Sequence, residues 1–525
     1  MVNLEPLPVW THFAKLCAMP RASLHEAALR EYLVEWAQAR GIATVVDDAG
    51  NLILRKPASP GCESMPGVIL QGHLDMVCQA NTRTRHDFER DAINAQVRDG
   101  WVVAEDTTLG ADNGVGVALA LATLEQPDLT HPPLEVLLTV NEESGMDGAR
   151  GLASGTLQGA MLINLDTEEW GNFYLGCAGG VDVEVRPRHG GAEPSGAGAG
   201  ATHLLPQSAD LVGNVSEVRH DCAQEELPAG YAVLRFDVSG LRGGHSGIDI
   251  HLGRGNAIKL LAEALRDLSA HTDFHLIAMQ GGTVRNAIPR EAFAVCALPL
   301  AAVSGIDEWV EHRQAAWQQR FAESDPGVVF RYELDESPVG KAVHSAERDH
   351  LLAFLDSAVN GVARISEDFP GVTDTSSNLG VLALAQGTLK VTFKVRSLHD
   401  ASADALADKL VSFATSYGLR AWKDGAYPGW IPNPSSVLLA RCQQVYTAQF
   451  GQPASLQVIH AGLECGLFAA SHPHLDMISF GPDISGAHAP GERVEIASVA
   501  RCWDLLRAVL QALAEPPSVM EQGRG

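Results

Sequence analysis

The chain has 525 residues, 46% of them hydrophobic and 19% charged, with a formal net charge of −26. That length exceeds one ordinary core and implies roughly two to four units, while the composition excludes a disordered chain. The negative balance argues against nucleic acid and anionic membrane surfaces, whose phosphates it repels.

In chain order, the stretch "SLHEAALREYLVEWAQA" places apolar residues at helical spacing behind a serine suited to N-capping. Short β-like runs follow at 51–55 ("NLILR"), 67–73 ("GVILQGH"), 134–140 ("LEVLLTV") and 161–166 ("MLINLD"), with an apolar helix candidate at 113–126. Near-continuous apolar strands alternating with helices predict an α/β unit whose mostly parallel sheet is covered on both faces.

The texture changes after about residue 180. Residues 188–228 are rich in Gly, Ala, Ser and Pro and read as a flexible surface insertion. The alternating "YAVLRFDVSGL", a helix over 256–269, the strands "FHLIAMQGG", "FAVCALPL" and "GTLKVTFKVRSL", and a helix over 401–417 predict an α+β domain on an antiparallel sheet. A helix over 436–449, a strand over 475–482 and a helix over 497–514 return to the first texture. The expected division is 1–182 with 426–525 as one domain, and 183–425 inserted into it.

Nine cysteines are scattered without any C-x-x-C, which favours a reducing compartment over a disulfide framework. The N-terminus "MVNLEPLPVWTHFAKL" lacks the basic start and apolar core of a signal peptide. No run reaches the ~18 apolar residues of a membrane span. The expected location is the cytoplasm.

Acids and imidazoles stand where the apolar strands run out: His73 and Asp75 in "VILQGHLDMV", Asp112 in "LGADNGVG", Glu142 and Glu143 in "LLTVNEESG", and Asp166 in "INLDTEEWG". Ligands of open α/β sheets bind at the carboxyl ends of the strands, so all of these groups can share one crevice. Such a concentration of like charge is a poor stability device. Divalent cations would remove the penalty, and mixed N/O donors suit zinc, and also cobalt or manganese.

The ordered set "GHLDMV", "GADNGVG", "NEESGMDGA", "NLDTEE" and "GGHSGIDI" resembles the M20 family of di-zinc metallopeptidases, most of all its aminoacyl-histidine dipeptidase branch. The resemblance spans nearly the whole chain except the Gly/Ala-rich stretch. It implies a three-layer catalytic domain with an inserted lid domain, two divalent metal ions per chain, a small peptide substrate and a homodimer. It further implies that His73 and Asp166 hold one metal, Glu143 and a C-terminal His the other, and that Asp112 bridges both. The candidate His is His488 in "GPDISGAHAPGERV", with His460, His472 and His474 as rivals by position.

Asp75 matches the acid that orients the His73 imidazole. Glu142 matches the general base, and neighbouring side chains of an extended segment point to opposite sides, which would separate it from Glu143. His245, flanked by Gly240, Gly243, Gly244 and Gly247, matches the oxyanion-stabilising His, often supplied across a dimer. Asn286 and Arg396 match positions that hold substrate polar groups, and a guanidinium suits a free C-terminal carboxylate. Glu464 in "HAGLECGLF" is expected at the substrate amine. Hinges are expected near 178–186 and 420–432. The leading reading is a dipeptidase for unblocked dipeptides of the Xaa-His type. Its alternatives are an amidohydrolase of N-acyl amino acids and a non-catalytic binding protein on the same fold.

Overall fold

The computed structural model describes residues 3–81, 83–188, 221–335, 341–367, 369 and 371–515. It divides into two compact units, Met1–Ala178 with Pro428–Gly525, and Gly179–Tyr427.

The first unit is built on an eight-stranded sheet in the order Ala43–Val46, Leu52–Lys56, Leu134–Thr139, Val68–His73, Met161–Asn164, Asp476–Ser479, Asn172–Cys177, Ser455–Ile459. Val68–His73 runs parallel to Leu134–Thr139 on one side and to Met161–Asn164 on the other, and the latter runs parallel to Asp476–Ser479. Every residue of Val68–His73 and of Leu134–Thr139 is buried. Leu70, Val136 and Ile163 join one core with the helices Leu7–Cys17, Ala111–Glu125 and Ile496–Leu513, while Ile69, Leu137 and Leu162 on the other face are equally enclosed. This is why these strands read as unbroken apolar runs. His73 pairs with Thr139 and Gln71 with Asn164, so the strands end side by side.

The helix expected from "SLHEAALREYLVEWAQA" starts later than its serine suggests, at Ala27 with Glu26 in the N-cap position. The Ser23 hydroxyl donates to Asp75 instead, at 2.7 Å.

The second unit carries a nine-stranded antiparallel sheet in the order Val329–Leu334, Tyr231–Ser239, Ala292–Pro299, His275–Gly281, Thr373–Ala385, Thr388–Ser397, Gly179–Pro187, Leu419–Tyr427, with Gly361–Ile365 paired to Thr373–Ala385. Phe236, Phe330, Phe354, Phe393 and Trp317 form its core with the helix Ala257–His271. That helix is capped by the Asn256 side chain, which accepts from the Ile258 and Lys259 amides. Of the stretch expected as a flexible insertion, residues 189–220 lie outside the described residues. Its end, Gln224–Glu226, is a strand antiparallel to Lys341–Val343.

The segments expected as hinges are mostly regular. Gly179–Pro187 and Leu419–Tyr427 pair antiparallel, with Leu419 opposite Pro187 and Tyr427 opposite Gly180. Buried Val181, Val183 and Val185 hold that ladder in the core, so the irregular Gly/Pro run begins only at Pro428.

Candidate metal centre

Five side chains of the first unit meet where its parallel strands end. His73 closes the strand Val68–His73, and its Nε2 lies 3.2 Å from Asp112 Oδ1 and 3.3 Å from Asp166 Oδ1. The other oxygen of Asp112, Oδ2, lies 3.1 Å from His488 Nε2, which stands 3.2 Å from Glu143 Oε2. One carboxylate thus spans two imidazoles, and each imidazole has a second carboxylate beside it. Among the C-terminal rivals, His472 is buried against Ser471 and outside this group. His488 occupies the left-handed region at φ 65, which a non-glycine residue adopts rarely and mostly at functional sites.

These donors fit divalent cations. Ligands about 2.0–2.1 Å from a tetrahedral zinc stand about 3.3 Å from one another, and the four contacts above fall at 3.1–3.3 Å. Donor atoms of His73, Asp112 and Glu143 all lie within 4.8 Å of each other. Glu143 Oε1 is buried without a hydrogen-bond partner among the described residues, and buried Asp166 Oδ1 has there only the His73 nitrogen that it shares with Asp112. Buried charged oxygens left in that state are costly unless a cation meets them.

The electrostatics agree. Burial opposes a charge on His73, but Asp166, Asp112 and Asp75 outweigh it and hold the imidazolium well above the usual histidine value. Burial likewise opposes His488, which Asp112 and Glu143 push up to about 11. Burial lifts Asp166 to about 7, and it raises Glu143 and Glu142, the latter further through the charge of Glu143. Despite its own burial, Asp112 is held far below the carboxylate range by the two imidazoles. Without cations the imidazoles carry protons, and these must leave before the ring nitrogens can bind metal.

Asp75 braces the cluster. The His73 Nδ1–H donates to the Asp75 carbonyl at 3.1 Å and stands 3.4 Å from Oδ1, which turns Nε2 toward the acids. The same carboxylate accepts the amides of Glu142 and Glu143, at 3.0 and 3.1 Å. Those two glutamates are not extended, as the alternation argument assumed. Asn141 turns left-handed at φ 52 and starts a short helix, Glu142–Gly145, so the two side chains diverge around a helical turn. Glu143 meets His488, whereas the Glu142 carboxylate forms none of the hydrogen bonds or ion pairs found among the described residues.

Four further groups are not singled out by the sequence analysis. Fully buried Glu492 accepts the amides of Leu109, Gly110, Ala111 and Asp112, at 2.7 to 3.2 Å, and so fixes the turn that presents Asp112. Arg21, equally buried, donates to the carbonyls of Leu74, Asp75 and Gly110, tying that turn to the His73 strand end. Glu26 accepts the Asn141 amide at 2.8 Å. Glu168, two residues after Asp166, is raised to about 8 by burial and then by the charge of Asp112. The hints in the sequence are the position of Glu492, four residues after His488, and that of Glu168 inside "NLDTEE".

Glu464, expected at a substrate amine, is fully enclosed. Its Oε2 accepts from Gln71 Nε2 at 2.6 Å and from the Thr139 hydroxyl at 2.7 Å, and burial raises it to about 8. Gln71 lies two residues before His73 and Thr139 ends its strand, so Glu464 sits beneath the ligands as an internal tie.

In the second unit, the imidazole of His245 accepts at Nδ1 from the amides of Gly247 and Ile248, at 3.2 and 3.1 Å. That leaves the ring proton on Nε2. Gly244 has φ 139, and a Cβ there would meet Asp249 Oδ2 at 2.6 Å, so the turn requires glycine. Arg396 is buried and its Nη2 lies 3.4 Å from His245 Nε2. Asn286 is exposed, and its carbonyl accepts the Ser246 amide at 2.8 Å beside His245.

Replacing Glu492 by Ala strands four amides and frees the Asp112 turn. Metal affinity should fall about 10–100-fold, as read by calorimetric titration of the metal-free protein. An unchanged affinity would mean that the turn holds its shape without this brace.

The model of peptidase family M20/M25/M40 matches residues 69–512. The chain is 40% identical over 512 residues to the cytosol non-specific dipeptidase of Escherichia coli (strain K12), covering 97% of this chain and 98% of that one. The crystal structure of aminoacylhistidine dipeptidase from Vibrio alginolyticus superposes with TM-score 0.77 at 38% identity, covering 97% of each chain. An aminopeptidase of Bacillus cereus ATCC 10987, at TM-score 0.52 and 14% identity over 98% of this chain and 100% of that one, shares the fold. The chain therefore belongs to peptidase family M20/M25/M40 and is a peptide-bond hydrolase.

Proposed function

We propose that the protein is a metal-dependent dipeptidase that cleaves unblocked dipeptides, those ending in histidine among them. The observation that carries this reading is the Asp112 carboxylate, whose two oxygens each face a different imidazole–carboxylate pair. His73 and Asp166 would hold one ion, Glu143 and His488 a second, and Asp112 both. Zinc suits the donor set, and cobalt or manganese would also fit. When bound, the ions supply Lewis acidity that polarises the scissile carbonyl and eases ionisation of the attacking water.

The chain supplies the proton traffic. Glu142, unengaged by other side chains among the described residues and raised by its surroundings, takes a proton from the attacking water as its oxygen bonds the carbonyl carbon. It then delivers that proton to the amine as the C–N bond breaks. Asp75 keeps Glu142 and Glu143 in register through their amides and fixes the His73 tautomer. The His245 Nε2–H is suited to the oxyanion of the tetrahedral intermediate, Arg396 to the C-terminal carboxylate, and Asn286 to a polar group of the substrate.

Glu142→Gln should lower kcat by about 10²–10⁴-fold with metal content unchanged, whereas Glu143→Gln should lose metal. Elemental analysis beside steady-state rates reads both, and the reverse pattern would exchange their roles. Metal-loaded protein should hydrolyse β-Ala-His and Gly-His. Turnover of N-acetyl amino acids with the dipeptides left intact would overturn the substrate class.

We also infer a cytoplasmic homodimer. None of the nine cysteines forms a disulfide, which suits a reducing compartment, and the E. coli relative is named for the cytosol. Exposed Ile248, Leu252, Val362 and Ile365 give the inserted unit apolar surface for self-association. Equilibrium sedimentation should return twice the mass of one chain, and a monomer at micromolar concentration would refute the pairing.

A further inference from the structure

Within the inserted unit, two cations stand two residues apart on the strand Thr388–Ser397 and are treated differently. Lys394 is buried and paired, its Nζ 3.0 Å from Asp182 Oδ1. Arg396 is just as buried, at 4% exposure, yet no carboxylate among the described residues forms an ion pair with it. Its Nε donates to Ser246 Oγ at 3.3 Å and its Nη1 to the Tyr427 hydroxyl at 2.7 Å. Its Nη2 faces His245 Nε2 at 3.4 Å, and that nitrogen carries the imidazole proton, so two donors converge there. A buried guanidinium without a counter-ion, beside a second donor, is a built anion site.

The Tyr427 hydroxyl is itself held in place. Its ring lies under the Lys394 ammonium, with Nζ 4.7 Å from the ring centroid. The opposite residue on the neighbouring strand is Gly180, where a Cβ would stand 2.7 Å from the Tyr427 oxygen. Glycine at 180 therefore keeps open the space the hydroxyl needs to reach Arg396.

We propose that Tyr427, admitted by Gly180 and seated on Lys394, is the positioning residue that aims Arg396 at the free C-terminal carboxylate of the substrate and so sets the preference for unblocked peptides. This rests on the reading of Arg396 as the carboxylate clamp. The phenol oxygen accepts one arm of the guanidinium and fixes its plane, leaving Nη2 and the His245 Nε2–H directed at one acceptor. No proton or bond changes hands. The role is geometric, and it should be felt in substrate binding before it is felt in the chemical step.

The test uses the full-length, metal-loaded enzyme with Gly-His and its C-terminal amide. Tyr427→Phe should raise KM for Gly-His about tenfold with kcat within about twofold, and should lower the preference for the free acid over the amide about tenfold. Gly180→Ala, which displaces the hydroxyl without removing it, should move the same ratio in the same direction and keeps the test open if the phenylalanine variant fails to fold. Arg396→Ala serves as the control and should abolish the preference. If it does not, the clamp reading falls and this proposal falls with it. If Arg396→Ala abolishes the preference while Tyr427→Phe and Gly180→Ala retain it, the clamp stands and the role of Tyr427 is refuted. Equal losses on acid and amide, or a fall in kcat alone, would also refute it, because a merely structural role gives that result.

Discussion

Crowding of negative charge at the carboxyl ends of parallel strands is the constraint from which the rest of the first unit follows. Asp112, Glu142, Glu143, Asp166 and Glu168 influence one another there, and burial raises four of these five acids. A carboxylate survives such a place only if its oxygens are occupied. The fold answers in two ways. Asp75 and Glu492 fill their oxygens with amide, hydroxyl and imidazole donors, so no lone pair remains in need of a metal. Glu143 keeps Oε1 buried without such a donor among the described residues, and Asp166 Oδ1 shares the one His73 nitrogen with Asp112, an arrangement that a cation would suit.

The braces also explain why the ligands can come from segments so far apart in the chain. Glu492 joins the C-terminal loop of His488 to the turn of Asp112, and Arg21 joins that turn to the end of the His73 strand. Glu464 links Gln71 and Thr139 one layer below, on the two strands that deliver His73 and the glutamate pair. Each brace acts through backbone groups or through neutral amides and hydroxyls, which adds rigidity without adding another free charge to the cleft.

This division governs how much was legible in the sequence. The strands were readable because both faces of the sheet are covered, and the gathering of acids and imidazoles at their ends was readable because these residues interrupt the apolar runs abruptly. The braces were not. Arg21, Glu26 and Glu492 bond to main-chain groups between about 50 and 400 residues away, and a donor aimed at a carbonyl leaves no pattern in a sequence. The glutamate pair was assigned for a wrong geometric reason. The left-handed turn at Asn141, which converts a strand end into a helical turn, is a single-residue event that periodicity does not register.

The same question of balance arises with the sign reversed in the inserted unit. Arg21 is buried without an ion pair among the described residues, but three carbonyl oxygens face its guanidinium and balance it internally. Lys394 is buried and balanced by Asp182. Arg396 has neither kind of partner among the described residues. Its neighbours are a serine hydroxyl, a phenol and an imidazole whose facing nitrogen is itself a donor, and none of these offsets a full positive charge in a site that excludes water. The fold balances the other buried cations among the described residues, Arg21, Lys394 and Arg348, the last with Asp273 and Asp349, and the unbalanced one is the cation proposed to receive a ligand of opposite charge. Hydrophobic pattern places Arg396 on a buried strand like any other residue there; what marks it is the partner it lacks, and only coordinates report that.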